Sequence, residues 1–228
     1  MFDPYRRNRH SGGIILLDAA TNNTVAAGMM ISAERTDSAN VVWHQSGVSR
    51  EQRPSQGYTI WLTGLSGSGK SSVAVELERK LVSAGRSARV LDGYDLRHGL
   101  NSDLGFSAQD RAENVRRVGE VARLFADAGM VAIVSLISPR QHDRDVVRAA
   151  HEAAGLRFVE IFMDTPLEMC EARDPKGMYR RARAGEITGF TGVDDPYEAP
   201  EQPDLVLRPG HGTPAEMADW LMAQLSRR

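Results

Sequence analysis

A chain of 228 residues has room for one domain with an appendage, or for two small ones. Its 28 Lys and Arg against 30 Asp and Glu leave a net charge of −2, with no basic field for a general nucleic-acid binder, and 41% apolar residues exclude a disordered chain. The longest apolar stretches, residues 25–31 and 130–137, are too short to span a bilayer, residues 1–30 show no signal peptide, and the lone Cys170 closes no internal disulfide, so a cytoplasmic protein with no membrane partner is expected.

Residues 1–57 contain no lysine and read as short β pieces at 13–17, 24–31 and 40–44, with turn formers between them. Three such strands seldom make a stable unit alone. The expected organisation is a β-rich segment over residues 1–45, a linker over 46–57 and one α/β domain over 58–228. From Tyr58 onward strands and helices alternate. Residues 58–63 form an apolar strand, 71–84 a helix ending near Gly85, and 87–91 a second strand. Ser107 opens a long helix with Asp110 three residues on, the spacing of a capping box. Val115, Val118, Ala122, Phe125 and Ala128 mark its apolar face, and Gly129 ends it. Residues 130–137 are apolar on both faces, as in a central parallel strand. A helix at 143–153 and strands at 157–163 and 204–207 follow. The last helix opens with Thr213 as N-cap, Pro214 at N1 and Glu216 at N3. Alternation of this kind gives a parallel sheet covered by helices on both faces.

Residues 64–71 read Gly-Leu-Ser-Gly-Ser-Gly-Lys-Ser, which satisfies G-x-x-x-x-G-K-[ST] between a strand and a helix. The glycines let N–H groups along Gly64, Leu65, Ser66, Gly67, Ser68 and Gly69 turn inward as an anion nest, and the helix behind them directs its positive end at the phosphates. Lys70 is expected to reach the β and γ oxygens and the Ser71 hydroxyl to ligate Mg²⁺, with Ser72 completing the ATP-binding set. A Gly/Ser-rich turn with a chance lysine is the bland reading, and it leaves the flanking strand and helix unexplained. The motif therefore points to a nucleoside triphosphate and to a P-loop NTPase-type fold.

No Asn-Lys-x-Asp base reader of a GTPase is present, and the strand at 130–137 runs into Ser138-Pro139 rather than the acid of a motor ATPase. The second strand instead ends Leu91-Asp92-Gly93, where a carboxylate would face the metal and an acceptor. Residues 173–183 are basic, glycine-bearing and too long and polar for a simple connector, which reads as a lid. Lids keep water from taking a phosphoryl group, so a phosphotransferase is favoured.

Several further motifs make the match specific: LDG at 91–93, LRHGLNSDLGFS at 96–107, DRAENVRRVGEVA at 110–122, ISP at 137–139, DTP at 164–166 and DPKGMYRRARAGEITGFTGVDDPYEAP at 174–200. With them, residues 57–227 resemble the adenylylsulfate kinase family, which phosphorylates the ribose 3′-hydroxyl of adenosine 5′-phosphosulfate with Mg-ATP. The resemblance implies that Phe106 and Phe190 stack on the acceptor adenine, that Arg97, Arg111 and Asn114 hold its phosphosulfate and ribose, and that the Ile137 backbone and Lys176 also touch it. It places Arg173 near the ATP base, Asp92 at the metal and the acceptor, and Ser138 where the family has a phosphoserine. In-line transfer needs only positioning and charge neutralisation, so a substrate contact is the better physical reading of Ser138. A homodimer is implied as well. The histidines, His98 and His142 among them, form no metal-ligand cluster in the sequence and read as structural.

Residues 5–18 resemble the last β-barrel segment of the GTPase-like large subunit of sulfate adenylyltransferase. Residues 40–50 resemble the junction that joins it to a kinase domain in bifunctional proteins. Separated from barrel partners, these strands are expected to be loosely ordered or to pair with a neighbouring subunit, and sulfate adenylyltransferase subunits are candidate partners. Two other readings stay open: a P-loop kinase for another small hydroxyl acceptor, and a catalytically weak nucleotide-binding module of a sulfate-activation assembly.

One departure matters. The family usually reads Asp-Gly-Asp-Asn where this chain has Asp92-Gly93-Tyr94-Asp95. A phenol is a poor base at neutral pH, which leaves Asp95 to swing in or Asp92 to serve alone. Reduced turnover is the expectation, and Tyr94→Asp is expected to raise kcat; steady-state kinetics showing an unchanged or lower value count against it.

Overall fold

The computed structural model describes residues 47–226 in full, and the backbone of residues 13–17 and 24–29. The chain divides into two compact units, Met1–Gly47 and Val48–Arg228. In the first, β1 (Gly13–Leu17) and β2 (Thr24–Met29) pair antiparallel, Gly13 opposite Met29, with a register shift between Leu16 and Leu17. The strand expected at 40–44 lies outside the described residues.

The second unit is built on β3 (Tyr58–Thr63), β4 (Ala88–Asp92), β5 (Val131–Ser135), β6 (Phe158–Met163) and β7 (Leu205–Leu207). They form one parallel sheet in the order β4-β5-β3-β6-β7. The helices are α1 (Lys70–Ser83), α2 (Gly93–Arg97), α3 (Ala108–Asp127), α4 (Gln141–Ala153), α5 (Leu167–Arg173), α6 (Met178–Arg183) and α7 (Pro214–Leu225). From β3 the chain steps to one side through β4 and β5, then crosses to β6 and β7 on the other. Loops leaving the carboxyl ends of β3, β4 and β5 therefore meet at a switch point, where open α/β sheets bind ligands.

Period-two alternation divides the core. Ile60 and Leu62 of β3 face Val73 and Leu77 of α1 and Leu221 of α7, whereas Trp61 packs with Val118 of α3 and Val147 of α4. Full burial of one such aliphatic side chain contributes about 1.5–3 kcal/mol. Contact between α3 and α4 requires Gly119, because a Cβ there would stand 2.7 Å from Cγ2 of Val147. The apolar face of α3 holds as expected through Val115, Val118 and Ala122, with Phe125 packed against it. Ala126 is buried at its end, while Ala128 is exposed and serves as the C-cap. Ser107 accepts from the Asp110 N–H at 3.1 Å, and Asp110 accepts from the Ser107 hydroxyl. At α7 the full capping box forms with Thr213 and Glu216.

Within the segment expected as a linker, residues 50–55 are anchored to the second unit. A 3₁₀ turn at Arg50–Gln52 brings Arg50 to Asp127 at 2.5 Å and to the Ala154 carbonyl at 2.6 Å, and Ser55 donates to the Gly129 carbonyl at 2.7 Å. The polar composition that reads as a linker thus serves the C-terminal ends of α3 and α4, whose last carbonyls lack helical partners. On the exposed edge strand β4, the outward N–H of Val90 donates to the Glu78 carboxylate of α1 at 2.7 Å. Among the described residues no helix is long and apolar enough to cross a membrane.

His151 of α4 is fully buried between Val147 O, 2.8 Å from Nδ1, and Thr59 Oγ1, 2.9 Å from Nε2. A carbonyl only accepts, so Nδ1 carries the proton and Nε2 accepts from the Thr59 hydroxyl. Burial holds the imidazole below its usual 6.5, which favours the neutral ring. A folded-state value depressed in this way means that stability is complete above pH 7 and falls as pH drops below about 6.5. Urea midpoints are therefore expected to fall between pH 7.5 and 5.5 in the wild type and to be flatter in His151→Gln. Equal slopes would overturn that assignment.

Candidate active site

The Gly64–Gly69 loop joins the buried strand β3 to α1, and its form is set by what grips its carbonyls. Lys70 Nζ donates to Gly64 O at 2.8 Å, to Leu65 O at 2.6 Å and to Ser68 Oγ at 3.3 Å. The Tyr179 hydroxyl donates to Ser66 O at 2.9 Å, Arg173 to Gly67 O at 3.2 Å, and Thr165 to Ser68 O at 3.1 Å. Carbonyls pinned outward leave amides to face the other way, the arrangement of an anion nest. Gly67, at φ +74, also lies so close to α5 that a Cβ would stand 2.9 Å from the Cys170 carbonyl oxygen. Tyr179 and Thr165 are functional supports that sequence reasoning missed, although both lie inside motifs it singled out. Burial pushes Lys70 down to about 8, against the pull of the nearby Asp92 carboxylate. Burial also raises the Cys170 thiol, which keeps it a neutral neighbour at physiological pH.

Asp92 ends β4 and caps α2. Its Oδ1 accepts from the Tyr94 N–H at 2.9 Å, and its Oδ2 accepts from the Ser71 hydroxyl at 2.6 Å. Ser135, at the end of β5, lies 3.2 Å from Ser71 through its own hydroxyl. Lys70, Ser71 and Asp92 are thereby brought together, and Ser135 joins them as a residue the sequence reading did not single out; its signal is a polar side chain closing an otherwise apolar strand. Asp95 stands apart: it is exposed on α2 and, among the described residues, forms no ion pair. Ser72 is exposed in the first turn of α1.

No group of three or more metal-ligating His, Cys, Asp or Glu side chains occurs among the described residues. What the site offers is one carboxylate flanked by two hydroxyls. That hard-oxygen set suits Mg²⁺, which is held by one or two protein ligands and completes its shell with phosphates and water.

Across from the cradle, Phe106 is 62% exposed, with the Arg97 guanidinium 4.2 Å from its ring centre and that of Arg111 at 5.8 Å. Arg97 also donates to the carbonyls of Leu104 and Gly105. Arg111 joins two loops, donating to Phe106 O at 3.0 Å, to the Thr191 hydroxyl at 3.0 Å and to Gly189 O. Partial burial lowers the pKa of both guanidiniums. A cavity of about 180 Å³ opens here, with Phe106, Arg111, Arg140, Gly189 and Asp195 among its walls. Phe190 is half-buried and packs edge-on against Tyr179, ring centres 5.0 Å apart. Asn114 is buried beneath, its amide oxygen accepting from Asn101 at 3.0 Å. In the lid, the Lys176 ammonium stands 3.0 Å from the centre of the Tyr94 ring.

Ser138 follows β5 in a left-handed conformation, φ 41, and is buried. Trp61 Nε1 donates to its hydroxyl at 3.1 Å; that hydroxyl donates to Thr63 Oγ1 at 3.0 Å, and Thr63 donates to Ile137 O at 2.7 Å. Its carbonyl accepts from the buried Arg144 at 2.7 Å. The hydroxyl is thus held inside the fold, where it shapes the turn.

The adenylylsulphate kinase family model matches residues 56–208. The bifunctional enzyme CysN/CysC of Mycobacterium tuberculosis is 56% identical over 211 residues, which cover 92% of this chain and 34% of that protein. This chain thus spans about a third of the length of that relative. Adenylyl-sulfate kinase 3 of Arabidopsis thaliana is 50% identical over 83% of this chain and 93% of its own. Among solved structures, M. tuberculosis APS kinase CysC in complex with AMPPNP and APS is 56% identical with a TM-score of 0.74, covering 76% of this chain and 99% of that one. With the family model matched from before β3 to just beyond β7, across cradle, acceptor loops and lid, the chain belongs to the adenylylsulphate kinase family.

Proposed function

We propose that this chain transfers the γ-phosphoryl group of ATP to the 3′-hydroxyl of adenosine 5′-phosphosulfate, giving 3′-phosphoadenylyl sulfate and ADP. The observation that carries the reading is the 2.6 Å Ser71–Asp92 hydrogen bond, which joins the phosphate cradle to the one carboxylate at the head of the acceptor side. In that position Asp92 accepts the proton of the attacking 3′-hydroxyl. Lys70 neutralises charge on the β and γ oxygens, and the loop amides hold the phosphate chain in line with the acceptor. Ser71 and Asp92 would hold Mg²⁺, which when bound supplies further charge neutralisation to the phosphates. The exposed Phe106 ring offers a π-face to the acceptor adenine, with Phe190 as the second ring. Arg97 and Arg111 place guanidinium charge beside the phosphosulfate, and Asn114, Ile137 and Lys176 complete its surroundings. Arg173, held at the cradle by Gly67 O, would cover the ATP base. Ser138 acts by holding the turn that carries Ile137.

The bifunctional relative supports a role beside a second enzyme, and we read the chain as working in sulfate activation beside sulfate adenylyltransferase subunits, in the cytoplasm and as a homodimer.

A coupled assay with Mg-ATP and adenosine 5′-phosphosulfate is expected to give equal amounts of ADP and 3′-phosphorylated product at about 1–100 s⁻¹. ATP binding without product would overturn the reading and favour a nucleotide-binding module. A second expectation follows from Lys70. Bound phosphate favours its ammonium form, while the ligand-free side chain loses its proton from about 8 upward. ATP affinity should therefore fall by up to about tenfold per pH unit above pH 8, with proton uptake on binding. Titration calorimetry in buffers of different ionisation enthalpy reads that uptake, and Lys70→Met should abolish it.

A further inference from the structure

The segment between α5 and α6 is a tight turn that holds one lysine forward. Asp174, at φ 20, accepts from the N–H groups of Tyr179 at 3.1 Å and Arg180 at 3.0 Å, and Gly177 follows at φ 65. Lys176 sits between them, exposed, and among the described residues it forms no ion pair. Its ammonium instead lies over the Tyr94 ring, 3.0 Å from the centre. Tyr94 is 45% exposed on α2. The backbone N–H of the same residue donates to Asp92, whose other oxygen accepts from Ser71. From the far end of the lid, Tyr179 returns to the cradle through Ser66 O. The contacts close a ring: cradle, Asp92, Tyr94, Lys176, α6 and cradle again.

We propose that Tyr94 is a positioning residue that latches the lid through a cation–π contact with Lys176, and so sets how tightly the acceptor is held. The proposal rests on the kinase reading for its kinetic consequence only. An ammonium is attracted to the negative face of an aromatic ring, and the attraction needs the ring but not the hydroxyl. A side-chain change at Tyr94 leaves its backbone N–H on Asp92, so the latch can be removed without uncapping α2. The lid ends on Arg180, Arg181 and Arg183, which are tryptic sites that report its opening.

For an exposed contact of this kind, loss of the ring is worth about two- to fivefold in the closed population. In ligand-free protein, Tyr94→Ala and Tyr94→Leu are expected to speed tryptic cleavage after residues 180–183 by that factor, whereas Tyr94→Phe keeps the wild-type rate. The KM for the acceptor should rise by a similar factor in the Ala and Leu variants, with Phe restoring both readouts. Tyr94→Ala should add nothing to the acceptor KM of Lys176→Met. Three results would overturn the latch: wild-type cleavage in Tyr94→Ala, Tyr94→Phe behaving like Tyr94→Ala, or an acceptor KM that changes without a change in cleavage. The cleavage experiment contains no substrate, so its outcome stands apart from whether adenosine 5′-phosphosulfate is the acceptor.

Discussion

Every carbonyl from Gly64 to Ser68 is held by a donor, and those donors come from four places along the chain. Lys70 supplies the first two from the start of α1. Thr165 follows β6, Arg173 ends α5, and Tyr179 sits in α6. The phosphate cradle is therefore the hub on which the lid and the segment after β6 are mounted. A glycine-rich loop by itself has many conformations of similar energy. What selects one is the set of partners that satisfies its outward carbonyls, for an unmade hydrogen bond at a buried carbonyl costs about 1–3 kcal/mol. The lysine proposed to meet a bound phosphate serves the loop's own backbone as well.

The sheet provides the second half of the geometry. Parallel register sets Asp92 beside Ser135 on β4 and β5, and Leu62 beside Ser135 on β3 and β5. The carboxylate, the two hydroxyls and the mouth of the cradle consequently lie at one level. A slip of one residue would turn Asp92 to the opposite face. Behind them, Arg144 and Glu160 form a buried pair at 2.8 Å, and the guanidinium also reaches Ser138 O, Glu198 O and Gln141 Oε1. A buried charge is tolerable only when its partners are all supplied, and here those partners are the backbone of the turn after β5 and of the segment that follows the lid.

Much of this was legible in the residues. The cradle is a local motif, so its strand, loop and helix are all written within 27 consecutive positions, Tyr58 to Ala84. Asp92 was legible because it closes a short strand, and Ser71 because it follows the lysine. Tyr179, Thr165 and Arg144 act across the fold, and no spacing rule connects residue 66 to residue 179. The contacts of Ser138 are illegible for the same reason: its partners, Trp61, Thr63 and Arg144, come from other elements. Asp95 was grouped with Asp92 by proximity in the chain, but the helix that Asp92 caps carries it to the exposed side. In the segment 48–57, arginine and serine that look solvated in the sequence serve two helix ends instead.

Parallel sheets that stop at an uncovered strand offer a template to any other extended chain. Of the two outer strands here, β7 has only three residues, too few to seed an addition. The longer one, β4, carries a carboxylate of its own molecule on the Val90 amide, so an incoming strand would have to displace a charged acceptor to begin pairing. Glu78 therefore works against polymerisation. Loss of that carboxylate would open a path to edge-to-edge association, a failure of solubility.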